Sequence, residues 1–560
     1  MGIPSYFSYI VKNHPSIIKK YFKNVLKVDN LYLDCNSIIY DVYNKMSFEP
    51  KSNGINETIG KTIIRQVIAK IEHYIAIIEP QKTVYIAFDG VAPVAKLEQQ
   101  RQRRYKSWYQ NEISKQIYKK TTPDAWNTAA ITPGTIFMCE LNSMVSEHFA
   151  STSKEKYSTE HSKVNNMVSG SNEEGEGEHK LFEYIRKNPE KHASETTVIY
   201  GLDADLIMLS INHLPLSPNI YLFRETPHFI QSLNSELEPD ANYFLDIPEL
   251  TNAIIKHLNK DTSDSLPISN YNKVYDYIFI CFFLGNDFLP HFPALNIRTG
   301  GIDKMLNAYR VCIKPNENLT DGKTINWANL RRLISYLSSY EHEYILEEHK
   351  SRDRIASKNI PRNTNTKAKA NDEKQSLDNE FKTFENCPQT ERETEKYIDP
   401  FRPNWQRRYS RVLLGIKTDT TGALTKDVAI NYLQGLEWTM KYYTTGCADW
   451  RWQYKYNYPP LLQDLIKHVP VFPTEFVPLK PYNPVTEIVQ LCYVLPKSSL
   501  HLLPKGLGQA LITNFSSWYK NDYEFVWAYC RYFWESHAQM NEIDIKELEH
   551  FLQTNRQFFV

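Results

Sequence analysis

Asp203 and Asp205 stand one residue apart in the stretch GLDADLIMLS (201–210), directly after the apolar run Thr197–Tyr200. Two other apolar runs finish in the same way, NLYLD (30–34) on Asp34 and TVYIAFD (83–89) on Asp89. Glu176 and Glu178 lie in the glycine-punctuated SGSNEEGEGEHKLF, and Asp287 follows an apolar run in FFLGNDFLPHFP. A single aspartate after a strand is ordinarily a turn residue or a helix cap. Glutamates that open a helix commonly complement its dipole. Five such sites behind apolar approaches ask for more than capping. Converging carboxylates repel one another, and buried without partners they are costly, so a hard divalent cation is needed to neutralise them. Donors that are all oxygen, with no histidine or cysteine spacing nearby, fit Mg²⁺ or Mn²⁺ rather than zinc. Asp203 and Asp205 are therefore read as metal ligands.

The opposite charge comes from DGVAPVAKLEQQRQRRYKSWYQNEISKQ. Taken as a helix over 94–118, Lys96, Gln100, Arg103 and Arg104 follow the spacing i, i+4, i+7, i+8. They share one face, within roughly a 100° arc. A guanidinium fork, a lysine point charge and a glutamine amide together suit a terminal phosphate. Standing alone, this face would be a solvated basic helix. Its start, seven residues after Asp89, brings it close to the acids. A metal site beside a phosphate pocket is what a phosphodiester nuclease needs.

The elements that must position these residues follow an α/β pattern over the first 310 residues, short apolar runs alternating with amphipathic stretches. Strands are predicted at 30–34, 83–89 and 197–201, and helices at Ile59–Ile78 and Lys180–Arg186. In parallel α/β sheets ligands gather beyond the carboxyl ends of the strands, which is where these acids fall. Residues 151–172 read as a mobile loop. From 351 to 398 large apolar residues almost vanish, and the composition predicts a disordered linker or insertion. The organisation expected is a nuclease core over 1–350, this linker, and a second region over 399–560, mainly helical and rich in Trp and Tyr at its start.

Composition narrows the class. The chain balances 65 basic against 65 acidic residues, so overall charge points to no partner and local clusters carry the electrostatics. Eight cysteines occur without a CxxC pair, which argues against a zinc ribbon or a disulfide scaffold and for a reducing compartment. The most apolar stretch, YIFICFFLG, is too short for a membrane span, and MGIPSY has Tyr6 where a myristoylation signal needs Ser or Thr. The reading is a soluble intracellular protein with no membrane association.

At this point the motifs themselves are informative. MGIPSYFSYI, NLYLDCNSIIY, FDGVAPVAKLEQQRQRR, ITPGTIFM, GEGEHK, YGLDADLIML and FFLGNDFLPHFP occur in an order that resembles the XRN family of 5′→3′ exoribonucleases. NWQRRYSRVLLGI, YLQGLEWTMKYYTTGCADWRWQYKYNYPP and VLPKSSLHLLP extend the resemblance through most of the remaining chain. It implies a PIN-like, flap-nuclease-like core. The family's seven metal-binding acids fall on Asp34, Asp89, Glu176, Glu178, Asp203, Asp205 and Asp287. Its 5′-monophosphate pocket falls on Lys96, Gln100, Arg103 and Arg104. The implied activity is processive, Mg²⁺-dependent (two ions, Mn²⁺ as alternative) hydrolysis of single-stranded RNA to 5′-mononucleotides, by a monomer acting in RNA decay.

Two departures shape this expectation. The family's base-stacking histidine is replaced by Tyr40, which keeps an aromatic face, and its tryptophan partner falls on Trp450 or Trp452, with Trp450 favoured. Neither a long C-terminal extension nor a cysteine–histidine zinc knuckle is found, so a minimal, cytoplasmic-type member is expected, a nuclear one being the alternative. Competing readings are a structure-specific flap-type DNA endonuclease, though no GIGP-like loop follows Asp287, and a catalytically silent RNA-binding protein of the same fold.

Overall fold

The three acid-ended runs lie side by side as strands. β1 (Ile18–Lys20), β2 (Asn30–Asp34), β3 (Thr83–Ala87), β4 (Asn165–Ser169), β5 (Thr196–Tyr200), β6 (Asn219–Glu225) and β7 (Asn242–Asp246) form one sheet in the order β1-β7-β6-β5-β2-β3-β4. The β4, β3, β2, β5 and β6 strands are parallel, and β7 is antiparallel to both β6 and β1. The fold is therefore α/β around a mostly parallel sheet, with a helical C-terminal region. The computed structural model describes residues 3, 5–20, 26–46, 55–119, 126–152, 164–225, 237–238, 241–259, 271–359 and 370–558.

β2 is the switch point of the sheet: the chain goes from it to β3 and β4 on one side, and later to β5 and β6 on the other. Such a reversal opens a crevice at the carboxyl ends of the strands. The register sets Asp34 opposite Ala87 and Leu33 opposite Tyr200, so β2, β3 and β5 finish level. Helices α1 (Tyr6–Asn13), α2 (Asn36–Lys45), α3 (Ile55–Ile78), α4 (Val94–Ile117), α5 (Ile136–Thr152), α6 (Gly177–Lys187), α7 (Pro189–His192) and α8 (Asp205–His213) surround the sheet.

Strand alternation sends side chains to two cores. Leu31, Leu33, Val84 and Ile86 meet α2, α3 and α5, whereas Tyr32, Tyr85 and Ile199 meet α6 and α8. The second core continues without a break into the helices Tyr271–Cys281, Trp327–Asn359 and Ala423–Thr444. Val94 and Leu97 of α4 join a third cluster with Val489, Leu507 and Leu548, which fixes the helix from the C-terminal side. Among the described residues no helix is long and apolar enough to cross a membrane.

Two expectations are corrected. Part of the stretch predicted as a mobile loop is β4, paired with β3 from Asn165 to Ser169; a ladder of backbone hydrogen bonds to a buried strand orders even a polar sequence. Residues 153–163 lie outside the described residues. The segment 351–398, expected to be a disordered linker, is largely helical where it is described: Trp327–Asn359 runs into it, and Ala370–Glu385, Cys387–Thr390 and Glu393–Ile398 follow. Ion pairs and a few apolar contacts anchor it. Arg352 donates to Glu395 at 2.9 Å, Arg392 bridges Glu395 and Asp353 at 2.5 and 2.6 Å, and Phe384 packs on Phe533. Residues 360–369 lie outside the described residues.

Candidate active site

Asp34 closes β2, and Asp89 lies two residues beyond β3. Glu176 immediately precedes α6 and Glu178 lies in its first turn, while Asp205 opens α8 with Asp203 just before it. Asp287 follows the helical turn Phe282–Leu284. Gly177 draws three of these segments together. Its N–H donates to Asp89 Oδ1 at 2.7 Å, and a Cβ on it would stand 2.7 Å from Asp34 Oδ1. Only glycine permits that approach. Asn36 holds Asp89 twice, donating to Oδ2 at 2.6 Å and accepting its backbone N–H at 3.0 Å. From the helical region, Tyr442 donates to Glu176 Oε2 at 3.1 Å.

Mutual repulsion links all seven carboxylates. Asp34 feels Asp89, Asp203 and Glu176; Glu178 feels Asp205, Glu176 and Asp203; Asp205 feels Asp287 and Asp203. Burial, and then these neighbours, raise Asp34 and Glu178 well above the usual carboxylate range and Asp205 to about 7. Burial also raises Glu176, against the opposing Lys96. Asp287 moves the other way. Burial would raise it, but Lys96 Nζ, 2.5 Å from Oδ2, holds it well below the ordinary range, and Gln99 donates to Oδ1 at 3.0 Å.

Asp34 Oδ1, Glu178 Oε2 and Asp205 Oδ1 are buried without a hydrogen-bond partner among the described residues. Oxygens left without donors and facing other carboxylates have the chemistry of a hard-cation site, so the residues present fit a divalent metal. Glu176, Glu178 and His179 also bring one ligand atom each within 4.8 Å of one another. His179 adds a nitrogen to a set read from the sequence as oxygen only; burial keeps it neutral, and it stacks on Tyr442 at 3.7 Å.

The basic face of α4 abuts this rim. Lys96 reaches into it, 2.5 Å from both Glu176 Oε1 and Asp287 Oδ2. Arg103 is raised because Tyr40, Asp287, Asp203 and Asp89 together outweigh its burial. Arg104 sits on Thr132 Oγ1 through Nε and Nη2, at 3.1 and 2.8 Å. Its burial, reinforced by the like charge of Arg103 and opposed by Tyr40, lowers it to about 10. Gln100 is buried, its Oε1 unpartnered among the described residues.

Tyr40, on α2, is 36 % exposed. Trp450 is half-buried and edge-on to Tyr482 at 5.3 Å, and its carbonyl accepts the N–H of Val94 at the start of α4. Trp452 has different surroundings: it is 8 % exposed and stacks on Trp438 at 5.2 Å.

Asn36, Gly177, His179, Gln99 and Tyr442 escaped the sequence reading. Asn36 and Gly177 lie within two residues of acids that were singled out, and their small or amide side chains were the available signal. Gln99 and Tyr442 reach the site only through tertiary packing.

A family model described as "XRN 5'-3' exonuclease N-terminus" matches residues 1–226. A second, described as "Xrn1 helical domain", matches 269–401 and 386–557, just over half of the chain. The chain is 26 % identical to the "5'-3' exoribonuclease 2 homolog" of Drosophila melanogaster over 98 % of its length, covering 70 % of that protein. It is 26 % identical to "5'-3' exoribonuclease 2" of Arabidopsis thaliana over 98 % of its length, covering 66 % of the relative. Against "5'-3' exoribonuclease 1" of Homo sapiens the figures are 28 %, 99 % and 34 %.

Proposed function

The chain belongs to the XRN 5′-3′ exonuclease family, and from that premise we propose that it is a processive 5′→3′ exoribonuclease acting on 5′-monophosphorylated single-stranded RNA. One observation carries this reading: seven mutually repelling carboxylates, three with buried oxygens unpartnered among the described residues, abut a cationic helix face whose Arg103 feels three of them. Asp34, Asp89, Glu176, Glu178, Asp203, Asp205 and Asp287 would hold two Mg²⁺ ions, or Mn²⁺, which when bound supply the charge that activates water and stabilises the leaving 3′-oxygen.

The protein's own groups do the rest. Lys96, Gln100, Arg103 and Arg104 seat the terminal phosphate, so that the bond one nucleotide along lies at the acids. Each cut releases a 5′-mononucleotide and leaves a fresh 5′-phosphate on the shortened RNA, which re-enters the same socket. Processivity follows from that regeneration. A triphosphate or a cap adds bulk and charge where one phosphate is held. Tyr40 and Trp450, whose rings are the accessible ones, grip bases irrespective of sequence. The same reading makes the protein a monomer of cytoplasmic RNA decay.

The test is RNA carrying a 5′-monophosphate, 5′-hydroxyl or 5′-triphosphate, each with Mg²⁺ and beside a flap DNA. Only the monophosphate should be degraded, to mononucleotides. Equal loss of all three RNA ends refutes the socket, and cleavage of the flap alone refutes the exonuclease.

A further inference from the structure

Around α4 from the phosphate face lies a second cavity, of about 240 Å³, of whose lining the exonuclease reading uses only Arg103 and Asp287. Gln99, Gln102 and Lys106 line it, roughly a third of a turn round the helix from Lys96, Gln100 and Arg104. Asp287, held by Lys96 at 2.5 Å and by Gln99 at 3.0 Å, forms part of the partition between cavity and acids. Arg103 also borders both. The far wall is aromatic, with Phe288, Tyr456 and Trp534 facing the space.

The polar groups of this cavity ask for a ligand. Among the described residues Asn286 Nδ2, His291 Nε2 and the Tyr458 hydroxyl are buried there without a partner, and buried groups of this kind are normally satisfied. Lys106 Nζ donates to the carbonyls of Trp534 and Ser536, both at 2.7 Å, and an ammonium has a third proton to give. Flat aromatic walls take a heterocycle, and an ammonium beside a guanidinium takes a phosphate. His291 and His537, lowered by burial to about 4 and about 3, are neutral near pH 7 and offer ring nitrogens to a base edge.

We propose that this cavity holds a nucleoside 5′-monophosphate, the base among Phe288, Tyr456 and Trp534 and the phosphate toward Lys106 and Arg103. The identity of the ligand as reaction product rests on the exonuclease reading; its chemistry does not. A mononucleotide held here shares only Arg103 with the RNA socket and leaves Lys96, Gln100 and Arg104 free of it, so its inhibition is mixed rather than purely competitive with the RNA 5′ end.

The experiment is calorimetric titration of the full chain with adenosine 5′-monophosphate, paired with inhibition kinetics on 5′-phosphorylated RNA. Lys106→Met should weaken the mononucleotide roughly tenfold, the loss of one charged hydrogen bond, and leave KM for RNA unchanged. Tyr456→Ala should do the same, and because that ring is only half-buried it serves if Lys106→Met folds poorly. Arg104→Ala should leave mononucleotide affinity as it was. The proposal is overturned if Arg104→Ala abolishes the binding while both cavity variants spare it, or if adenosine 5′-monophosphate does not bind. Cavity-dependent binding by a protein that degrades no RNA would instead refute the exonuclease reading and leave this site standing.

Discussion

Both halves of the molecule bury carboxylates, and they satisfy them in opposite ways. In the helical half Glu395 receives Arg352, Arg392 and the N–H of Tyr529, the last at 2.8 Å. Glu341 accepts the N–H groups of Leu462 and Gln463 at 2.6 and 3.0 Å, and Glu348 is held by Thr299 at 2.8 Å. At the sheet rim carboxylates face carboxylates, and Asp34, Glu178 and Asp205 each keep one oxygen without a donor among the described residues. Titration follows the contrast. The two arginines outweigh the burial of Glu395 and hold it below the usual range, while burial and like charge raise Asp34 and Glu178. A buried acid is thus no sign of function by itself. Convergence of acids that the protein leaves without donors is.

The widest separation between the two sets should come from Asp205→Asn. Single-turnover hydrolysis of 5′-phosphorylated RNA is expected to fall about a thousandfold or more. The melting temperature in chelator should hold or rise, because a repelling charge has gone. A melting temperature that drops sharply would place Asp205 among the structural acids. The mirror experiment is Glu395→Ala. It strands two arginines buried in the helical half, and breaking such a network costs about 3–5 kcal/mol, read as a lower urea midpoint, with activity per folded molecule retained. If Glu395→Ala were neutral in stability, the donor-rich acids would not be holding the helical half together.

Arg104→Ala sharpens the comparison from the cationic side. Losing one charged fork should lower the preference for a 5′-monophosphate over a 5′-hydroxyl end by roughly ten- to a hundredfold. Competition between the two RNA ends measures it, and an unchanged preference would remove Arg104 from the socket.

What the sequence disclosed follows the same division. NLYLD is β2 residue for residue, because a strand buried on both faces in a parallel sheet is a continuous apolar run with a visible end. TVYIAFD overshoots β3 by two residues, Phe88 continuing the apolar run after the ladder stops at Ala87. The acids were legible for that reason: they punctuate apolar runs. The helical half was legible as helix but not in its contacts. Its polar segment 370–398 is fixed by ion pairs with residues far along the chain, and periodicity cannot show who pairs with whom. The placing of Lys96 between Glu176 and Asp287 was equally hidden, since its spacing on α4 names a face and not a partner. Trp450 and Trp452 look alike in sequence and differ in what tertiary packing sets beside them, Tyr482 beside the first and Trp438 beside the second.

The smallest expected effect tests the donor-rich side by pH. Glu341, buried in the helix Trp327–Asn359, is raised from 4.5 to about 8 because burial outweighs the two N–H groups that favour its charge. Between those values the folded protein keeps a proton that the unfolded chain has lost. Stability therefore falls as pH rises through that window, and the contribution of Glu341 is flat below and above it. Glu341→Gln keeps an acceptor oxygen for the Leu462 turn and removes the titration. Urea midpoints at the two ends of the window should differ less in the variant than in the parent, by about 1–3 kcal/mol. Asp205 and Asp276, raised to about 7 and about 6, titrate in both proteins, so the difference isolates Glu341. An equal slope in the two would mean that the two N–H groups keep Glu341 charged throughout. The helical half would then satisfy its acids more completely than burial allows, and the contrast with the sheet rim would widen.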